Sequence, residues 1–385
     1  MIRLNLPNMS HKEIRSASEA IKTGWVSDGK YVKLFEERFK NYIKSKHAVC
    51  MVNGSSALQL ALRLIDCDKN CEVLIPSISF IATANAVIYN NSTPVFLDTD
   101  EYLNLNIENL KNYIEHRTYK KKGFTYNKKT KKKISAVVVV HVLGNSANLL
   151  ELKKICKKNK IYLIEDAAES LGTFFRHKRM RKHTGTIGDI GCFSFNSNKI
   201  ITTGGGGMLV TDNKKFAEKA RFLKFQAKKN TYYFEHTEVG YNFRLPNPNC
   251  GIGYEQMSRL NGFIKNKKNN FKNYKKFLSK KIKILEPPKY SESNHWLSAV
   301  KLNSKKNVLD YAIKFLEKNK IEARPVWKLL YDQKQYKNYE KYKINKSKEN
   351  ISNYLCIPSS SSLTLKEIKI VSKNLNLLAD KLSKF

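Results

Sequence analysis

Nowhere in its 385 residues does this chain hold an apolar run long enough to span a bilayer. The opening Met1-Ile-Arg-Leu-Asn-Leu-Pro7 is too short and too polar for a secretory leader. A soluble, cytoplasmic protein without a membrane partner is therefore expected. Disulfide scaffolding is missing too. The seven cysteines (50, 67, 71, 156, 192, 250 and 356) are odd in number and lie mostly in apolar surroundings such as Val49-Cys50-Met51. Only Cys67 and Cys71 are close together, and no second Cys or His pair completes a zinc site, so reduced thiols and no metal are expected. No Gly-x-Gly-x-x-Gly follows the first expected strand, which disfavours a nicotinamide dehydrogenase. Acidic residues are scarce, 33 against 71 Lys+Arg, for a net charge of +38. Yet arginines and interleaved aromatics are few, and no helix-turn-helix, zinc-finger or RNP pattern accompanies the lysines. The excess reads as solvated helix faces, with no specific nucleic acid as partner. No internal repeat is present.

What the chain does contain is alternating helical and strand-like patterning. Hydrophobic residues make up 41%, enough for one large domain and a smaller one. Helical periodicity covers residues 9–43, with Ile14, Ala17 and Ile21, then Val32, Phe35, Phe39 and Ile43 expected inward. The turn-rich Gly24-Trp-Val-Ser-Asp-Gly29 lies between. Strands are expected at 47–52, 72–76, 93–98, 134–142 and 161–166, alternating with helices at 54–64, 77–88, 107–113 and 149–159. The mostly apolar run 134–142, with Ser135 and His141 in it, suits a parallel strand buried on both faces. Residues 118–133 interrupt this rhythm with eight lysines and two tyrosines, and read as a surface loop or β-hairpin. A helix at 214–225 and a long one at about 249–280, with Pro248 in its first turn, lead into a short α+β segment. There, strands at 296–302 and 321–326 alternate with helices at 307–318 and 365–382.

The stretch Gly191-Cys-Phe-Ser-Phe-Asn-Ser-Asn-Lys-Ile-Ile-Thr-Thr-Gly-Gly-Gly-Gly-Met208 places one lysine, Lys199, between two apolar strands and ahead of four glycines. A lysine near an interior is costly unless paired or deprotonated, and a deprotonated lysine is a Schiff-base nucleophile. Taken alone, it reads more readily as a hairpin lysine pointing to water, since lysine is seldom fully buried. Other groups complete a set. Gly54, Ser55 and Ser56 open a helix and offer N–H and O–H donors to an anion. Phe80 is available to stack on a ring, Asp166 sits at a strand's carboxyl end, and Ser194 adds a hydroxyl. This is what pyridoxal phosphate needs: an amine for its aldehyde, donors for its phosphate and a carboxylate for its ring nitrogen.

The motifs Gly24-Trp-Val-Ser-Asp-Gly29, Asn53-Gly-Ser-Ser56, Pro76-Ser-Ile-Ser-Phe80, Glu165-Asp-Ala-Ala-Glu169, Phe193-Ser-Phe195 with Lys199, and Gly240-Tyr-Asn-Phe-Arg244 occur in order over nearly the whole chain. Together they resemble the DegT/DnrJ/EryC1/StrS family of sugar aminotransferases. The 118–133 insert, the 198–207 segment and Arg244-Leu-Pro-Asn-Pro-Asn249 are most similar to the branch making 4-amino-4,6-dideoxy sugars for legionaminic acid or bacillosamine.

The resemblance implies an α/β aspartate aminotransferase fold (PLP fold type I). Residues 1–250 would form a large domain around a mixed, mostly parallel seven-stranded sheet, and 251–385 a linking helix and small α+β domain. It implies pyridoxal 5'-phosphate as cofactor, with Lys199 as the Schiff-base lysine and Asp166 as partner of the ring nitrogen. Ser55, Ser56 and Ser194 would lie at the phosphate end with Gly54, Asn196 would also bind the cofactor, and Phe80 would stack. Glu169 stands where relatives often carry His or Gln near the cofactor hydroxyl. Asn242 would reach a neighbouring subunit's phosphate, which implies a homodimer with a shared site. Trp25, Ser27, Gly29, Asn294, His295, Trp296, Arg324 and Trp327 are substrate-side candidates. The implied reaction moves the amino group of L-glutamate, which leaves as 2-oxoglutarate, to the C4 ketone of a nucleotide-linked 4-keto-6-deoxy sugar, with a 2-acetamido group expected. The rivals are a dehydratase of the same family, whose members replace the lysine with histidine, and a non-catalytic cofactor-bound regulator.

Overall fold

Residues 1–230, 232–302 and 308–383 are described in a computed structural model of the chain. Helix α1 (His11–Lys22) is started by a reciprocal capping box between Ser10 and Glu13. Its inward face is not the expected one. Ile14 and Ile21 are 61% and 58% exposed, while Glu13, Ser16 and Ala20 are buried. The reason is a satisfied polar contact: Glu13 accepts hydrogen bonds from Gln256 (2.7 Å) and Arg259 (2.8 Å) of the long helix that α1 packs against. A buried carboxylate with this many donors is tolerated where an unpaired one is not. Helix α2 (Lys30–Ile43) buries Phe35, Phe39 and Ile43, as its periodicity requires.

The central sheet is built from β1 (His47–Met51), β2 (Cys71–Pro76) and β3 (Thr93–Leu97), with helices α3 (Gly54–Leu64) and α4 (Ala82–Tyr89) between them. Next come α5 (Ile107–Arg117), the hairpin β4 (Thr118–Lys121) and β5 (Phe124–Asn127), β6 (Lys133–Val140), α6 (Leu149–Asn159) and β7 (Tyr162–Asp166). A second hairpin, β8 (Phe174–His177) and β9 (Met180–His183), precedes β10 (Ile190–Ser194), β11 (Gly207–Thr211) and α7 (Lys214–Lys224). The sheet order is β1-β11-β10-β7-β6-β2-β3. All neighbours from β10 to β3 are parallel, and β11 runs antiparallel to both of its neighbours. These seven strands give the expected mixed, mostly parallel sheet, which the β4–β5 hairpin beside β6 and a late strand beside β3 extend to ten. Residues 134–140 are all buried, as a strand covered on both faces requires. The lysine-rich insert forms the β4–β5 hairpin. It is pinned rather than floating: the Thr125 hydroxyl donates to the Asn159 carbonyl (2.7 Å) and Asn127 Nδ2 to Glu72 (2.8 Å). Helix α4 starts five residues later than the expected 77, because Ser77 and Ser79 are buried in the turn that leaves β2.

A short ribbon, β12 (Lys228–Asn230) with β13 (Glu235–His236), leads to α8 (Asn247–Phe277), with Pro248 in its first turn. Beyond it lie β14 (Lys283–Ile284), β15 (Ser291–Glu292), β16 (Ser298–Lys301), α9 (Leu309–Lys318), β17 (Arg324–Pro325), β18 (Lys341–Tyr342), α10 (Lys346–Ile351), β19 (Tyr354–Ile357) and α11 (Leu365–Leu382). The smaller sheet has the order β14-β16-β19-β17. The strands expected at 296–302 and 321–326 are thus shorter, and residue 307 of the expected 307–318 helix lies outside the described residues. The chain after residue 250 also returns to the large sheet, where β18 pairs in parallel with β3.

Candidate active site

The register of the sheet gathers the chemistry at one edge. Cys192 pairs with Asp166, Val140 with Asp166, and Ser194 with Gly207, which also pairs with Met51. The carboxyl ends of β1, β6, β7 and β10 therefore lie side by side, where open α/β sheets bind ligands. Asp166 is 5% exposed at the end of β7. Its Oδ2 accepts the Thr83 hydroxyl hydrogen (2.8 Å) and its Oδ1 the Ala168 N–H (3.2 Å). Burial raises its pKa, and the Thr83 and Ala168 hydrogen bonds and the Lys199 charge oppose the rise.

Lys199 follows β10 and is mostly buried, its side chain 12% exposed. Its Nζ stands 3.5 Å from Glu169 Oε1 and 4.2 Å from the centre of the Trp296 ring. Glu169 Oε2 accepts the Leu143 N–H at 2.9 Å. Burial pushes the Glu169 carboxyl up to about 7, against the pull of the Lys199 charge and the Leu143 N–H. The arrangement is a nearly buried amine held between a carboxyl group that titrates near neutrality and an aromatic face.

The start of α3 closes the other end. Asn53 caps it, accepting the Ser56 N–H (2.7 Å), while the Gly54 and Ser55 N–H groups meet no acceptor among the described residues. A side chain at Gly54 would lie 2.8 Å from Ser194 Cβ, and one at Gly207 would lie 2.5 Å from the Asn53 carbonyl carbon. These glycines let the helix start meet the ends of β10 and β11. Asn196 is exposed, and its carbonyl accepts the Lys199 N–H (2.9 Å). Phe80 is 56% exposed, just ahead of the Ser79–Thr83 hydroxyl contact that leads to Asp166.

Residues 7–376 match the model of the DegT/DnrJ/EryC1/StrS aminotransferase family. The chain belongs to this family. It is 35% identical over 371 residues to EpsN of Bacillus subtilis, a protein named for a pyridoxal phosphate-dependent aminotransferase, covering 94% of this chain and 92% of that one. It is 34% identical over 333 residues to the GDP-perosamine synthase of Vibrio cholerae, covering 84% of each. Among solved structures, the pyridoxal phosphate form of Spr1654 of Streptococcus pneumoniae, named for a sugar aminotransferase, superposes with a TM-score of 0.89 at 19% identity over 99% of both chains. The fold is the PLP type I aminotransferase fold, and the cofactor of the family is pyridoxal 5'-phosphate.

The residues of this DegT-family chain fit that group. A nearly buried amine, a buried carboxylate and unpartnered helix-start N–H groups stand at one sheet edge, each at the kind of position the cofactor's aldehyde, ring nitrogen and phosphate require. The other candidates are placed differently. Asn294 is fully buried and is not available to a substrate. Its Nδ2 donates to the Glu169 and Leu171 carbonyls (2.9 Å each), and its Oδ1 accepts the Trp296 N–H (2.8 Å). It therefore holds the chain around Glu169. Trp296 is 2% exposed and forms a floor for Lys199. His295 packs against Phe271, and burial lowers its pKa to about 4. Trp327 is partly buried against the core. Arg324 is exposed and paired with Glu322 (2.9 Å). Trp25 is 70% exposed, and Ser27 is exposed beside Gly29 in a loop bordering a cavity of about 750 Å³ lined by Trp25, Gly29, Tyr31, Leu34 and Asn247. Asn242 is exposed and receives a hydrogen bond from Arg244 (3.4 Å).

Thr83 and His141 escaped the sequence reading. Thr83 lies in an unremarkable small-residue helix, and nothing but the fold brings it to Asp166. His141 Nε2 faces Glu165 Oε2 (2.9 Å), and Glu165 also accepts the Gly185, Ile187 and Gly188 N–H groups. Burial raises the Glu165 pKa, but these hydrogen bonds outweigh it and the pKa is lowered. That pair fixes the turn before β10 and does not touch Lys199. His141 directly follows the apolar β6 run, the one sequence signal that marked it.

Proposed function

We propose that this protein moves the amino group of L-glutamate to the C4 ketone of a nucleotide-linked 4-keto-6-deoxy hexose. The observation that carries this reading is the Lys199 amine held between Glu169 and Trp296, at the same sheet edge as the buried Asp166. The name of the Vibrio relative, a GDP-perosamine synthase, supports a nucleotide-linked sugar as acceptor. The 118–133 and 244–249 segments support a 2-acetamido sugar of the legionaminic acid or bacillosamine kind.

Bound pyridoxal phosphate supplies an aldehyde for a lysine and a ring that takes up the electron pair left at the donor's α-carbon. Lys199 would hold the cofactor through Nζ and, as a free amine, would carry the proton at the donor's α-carbon. Asp166, with Thr83 fixing its Oδ2, would keep the ring nitrogen charged. Glu169 exchanges a proton near Nζ in the neutral range. The start of α3 with Ser55, Ser56 and Ser194 would hold the phosphate. Asn242 serves the neighbouring copy of a homodimer. Lysine at 199 disfavours the dehydratase reading.

The test is an absorbance spectrum of purified protein with pyridoxal phosphate, before and after L-glutamate, followed by GDP- and UDP-linked 4-keto-6-deoxy sugars with and without a 2-acetamido group. A visible band that shifts to shorter wavelength and returns with one sugar supports the reading. Wild-type turnover by a Lys199→Ala variant defeats it.

A further inference from the structure

Lys267 lies on α8 and is 3% exposed, more deeply buried than Lys199. Its Nζ donates to three neutral oxygens: the Trp296 carbonyl (3.0 Å), Asn5 Oδ1 (3.2 Å) and the Ser359 carbonyl. Among the described residues no carboxylate pairs with it, and burial alone lowers its pKa to about 7. A buried lysine without a counter-ion is costly, and an apolar side chain of the same length would avoid that cost. Its bonds show what it does instead.

Trp296 Nε1 donates to the Asn198 carbonyl at 2.7 Å, and Asn5 Nδ2 donates to the same oxygen. Asn198 directly precedes Lys199, and the ring of Trp296 lies 4.2 Å from Lys199 Nζ. Lys267, Trp296, Asn198 and Asn5 thus close a hydrogen-bonded ring, with Lys199 leaving from one corner. Anchoring the 358–361 turn does not rest on Lys267 alone. Its α8 neighbours Asn266, Asn270 and Tyr274 donate to the Ser361, Ser360 and Pro358 carbonyls. Besides its bond to the Ser359 carbonyl, Lys267 alone reaches the Trp296 carbonyl and Asn5 Oδ1 among the described residues.

We infer that Lys267 is a positioning residue that, through Trp296 and Asn5, sets the pose of the Lys199 main chain and of the aromatic floor beneath its amine. The inference rests on Lys199 being the cofactor-bearing lysine.

The test compares wild type, Lys267→Met, Asn5→Ala and the double variant, with thermal unfolding as the check on folding. The readouts are the rate at which apoprotein captures pyridoxal phosphate and the induced circular dichroism of the resulting visible band. Lys267→Met is expected to capture about tenfold more slowly, the scale of one lost positioning hydrogen bond, and to give a weaker dichroic band. Asn5→Ala changes both in the same direction, and the double variant falls short of the sum of the two. A folded Lys267→Met with wild-type capture and dichroism overturns the inference, as does strict additivity. Should Lys267→Met fail to fold, Asn5→Ala decides, and wild-type behaviour in it overturns the inference. If wild type itself never develops the band, the Lys199 reading falls and this inference with it. That outcome is distinct from a wild-type band unchanged in the variants.

Discussion

Lys199 Nζ stands 3.5 Å from Glu169 Oε1, and Glu169 uses its other oxygen to accept the Leu143 N–H at 2.9 Å. Burial lifts this carboxyl from an ordinary 4.5 to about 7, so it changes charge where the enzyme works. Glu169→Gln keeps the shape and removes the titration. The glutamate half-reaction of wild type is expected to inflect near pH 7. The variant should lack that inflection and run about tenfold slower at neutral pH, read by stopped-flow absorbance across a pH series. Stability follows with a definite sign. Because the folded pKa is raised, the Glu169 contribution is full below about 4.5 and is lost as pH rises through about 7. Urea melts of wild type should weaken across that window more than those of the variant.

The Thr83 hydroxyl supplies one of the two hydrogen bonds that the Asp166 carboxylate receives among the described residues. Thr83→Val removes it without a large change in volume. Asp166, its pKa already raised by burial, then moves further towards the neutral acid, which cannot hold charge on a ring nitrogen. Hydrogen bonds to charged groups are worth about 1.5–3 kcal/mol, so a fall in turnover of about tenfold to a hundredfold is expected, steeper at acid pH. Turnover equal to wild type across pH would show that Asp166 does not depend on Thr83.

Much of this was legible in the sequence because local chemistry and global fold agree at the decisive places. The run of apolar residues through β6, broken only by Ser135, reads as a strand covered on both faces. The Asn53-Gly-Ser-Ser stretch was legible as a helix start offering donors to an anion, whereas the close approach of Gly54 to Ser194 and of Gly207 to Asn53 emerges only in the fold. The face of α1 was misread because the winning contact, Glu13 with Gln256 and Arg259, joins residues more than 240 positions apart. Periodicity sees only one helix at a time. Asn294 looked like a ligand group for the same reason: its partners are backbone carbonyls that only the folded chain brings to it. The Thr83 and Lys267 contacts leave no local pattern.

Gly207 tests the approach of α3 to the sheet. A methyl group there would lie 2.5 Å from the Asn53 carbonyl, whereas one at Gly205 meets nothing within 4 Å. Gly207→Ala is expected to cost about 1–3 kcal/mol of stability, as overpacking does, and to weaken pyridoxal phosphate binding because the helix start is pushed away. Gly205→Ala should change neither. Thermal melts and cofactor titrations of the two variants check this, and equal behaviour would remove the close-approach explanation.

Asn247 governs the exposed loop that carries Trp25, Ser27 and Gly29. Its Nδ2 donates to the Trp25 carbonyl (2.8 Å), its Oδ1 accepts the Tyr31 N–H (3.0 Å), and its own N–H donates to the Val26 carbonyl (2.9 Å). Substitution by Ala leaves the last of these and frees both ends of the loop from the side chain. If the loop meets the sugar nucleotide, the ordering lost in the free protein must be supplied on binding, at about 1 kcal/mol or more per residue fixed. KM for the sugar nucleotide should then rise by about tenfold or more, while the glutamate half-reaction, which uses Lys199, Asp166 and Glu169, keeps its rate. A fall in both half-reactions would place the loop's role in the fold, and an unchanged KM would remove Trp25, Ser27 and Gly29 from the substrate side.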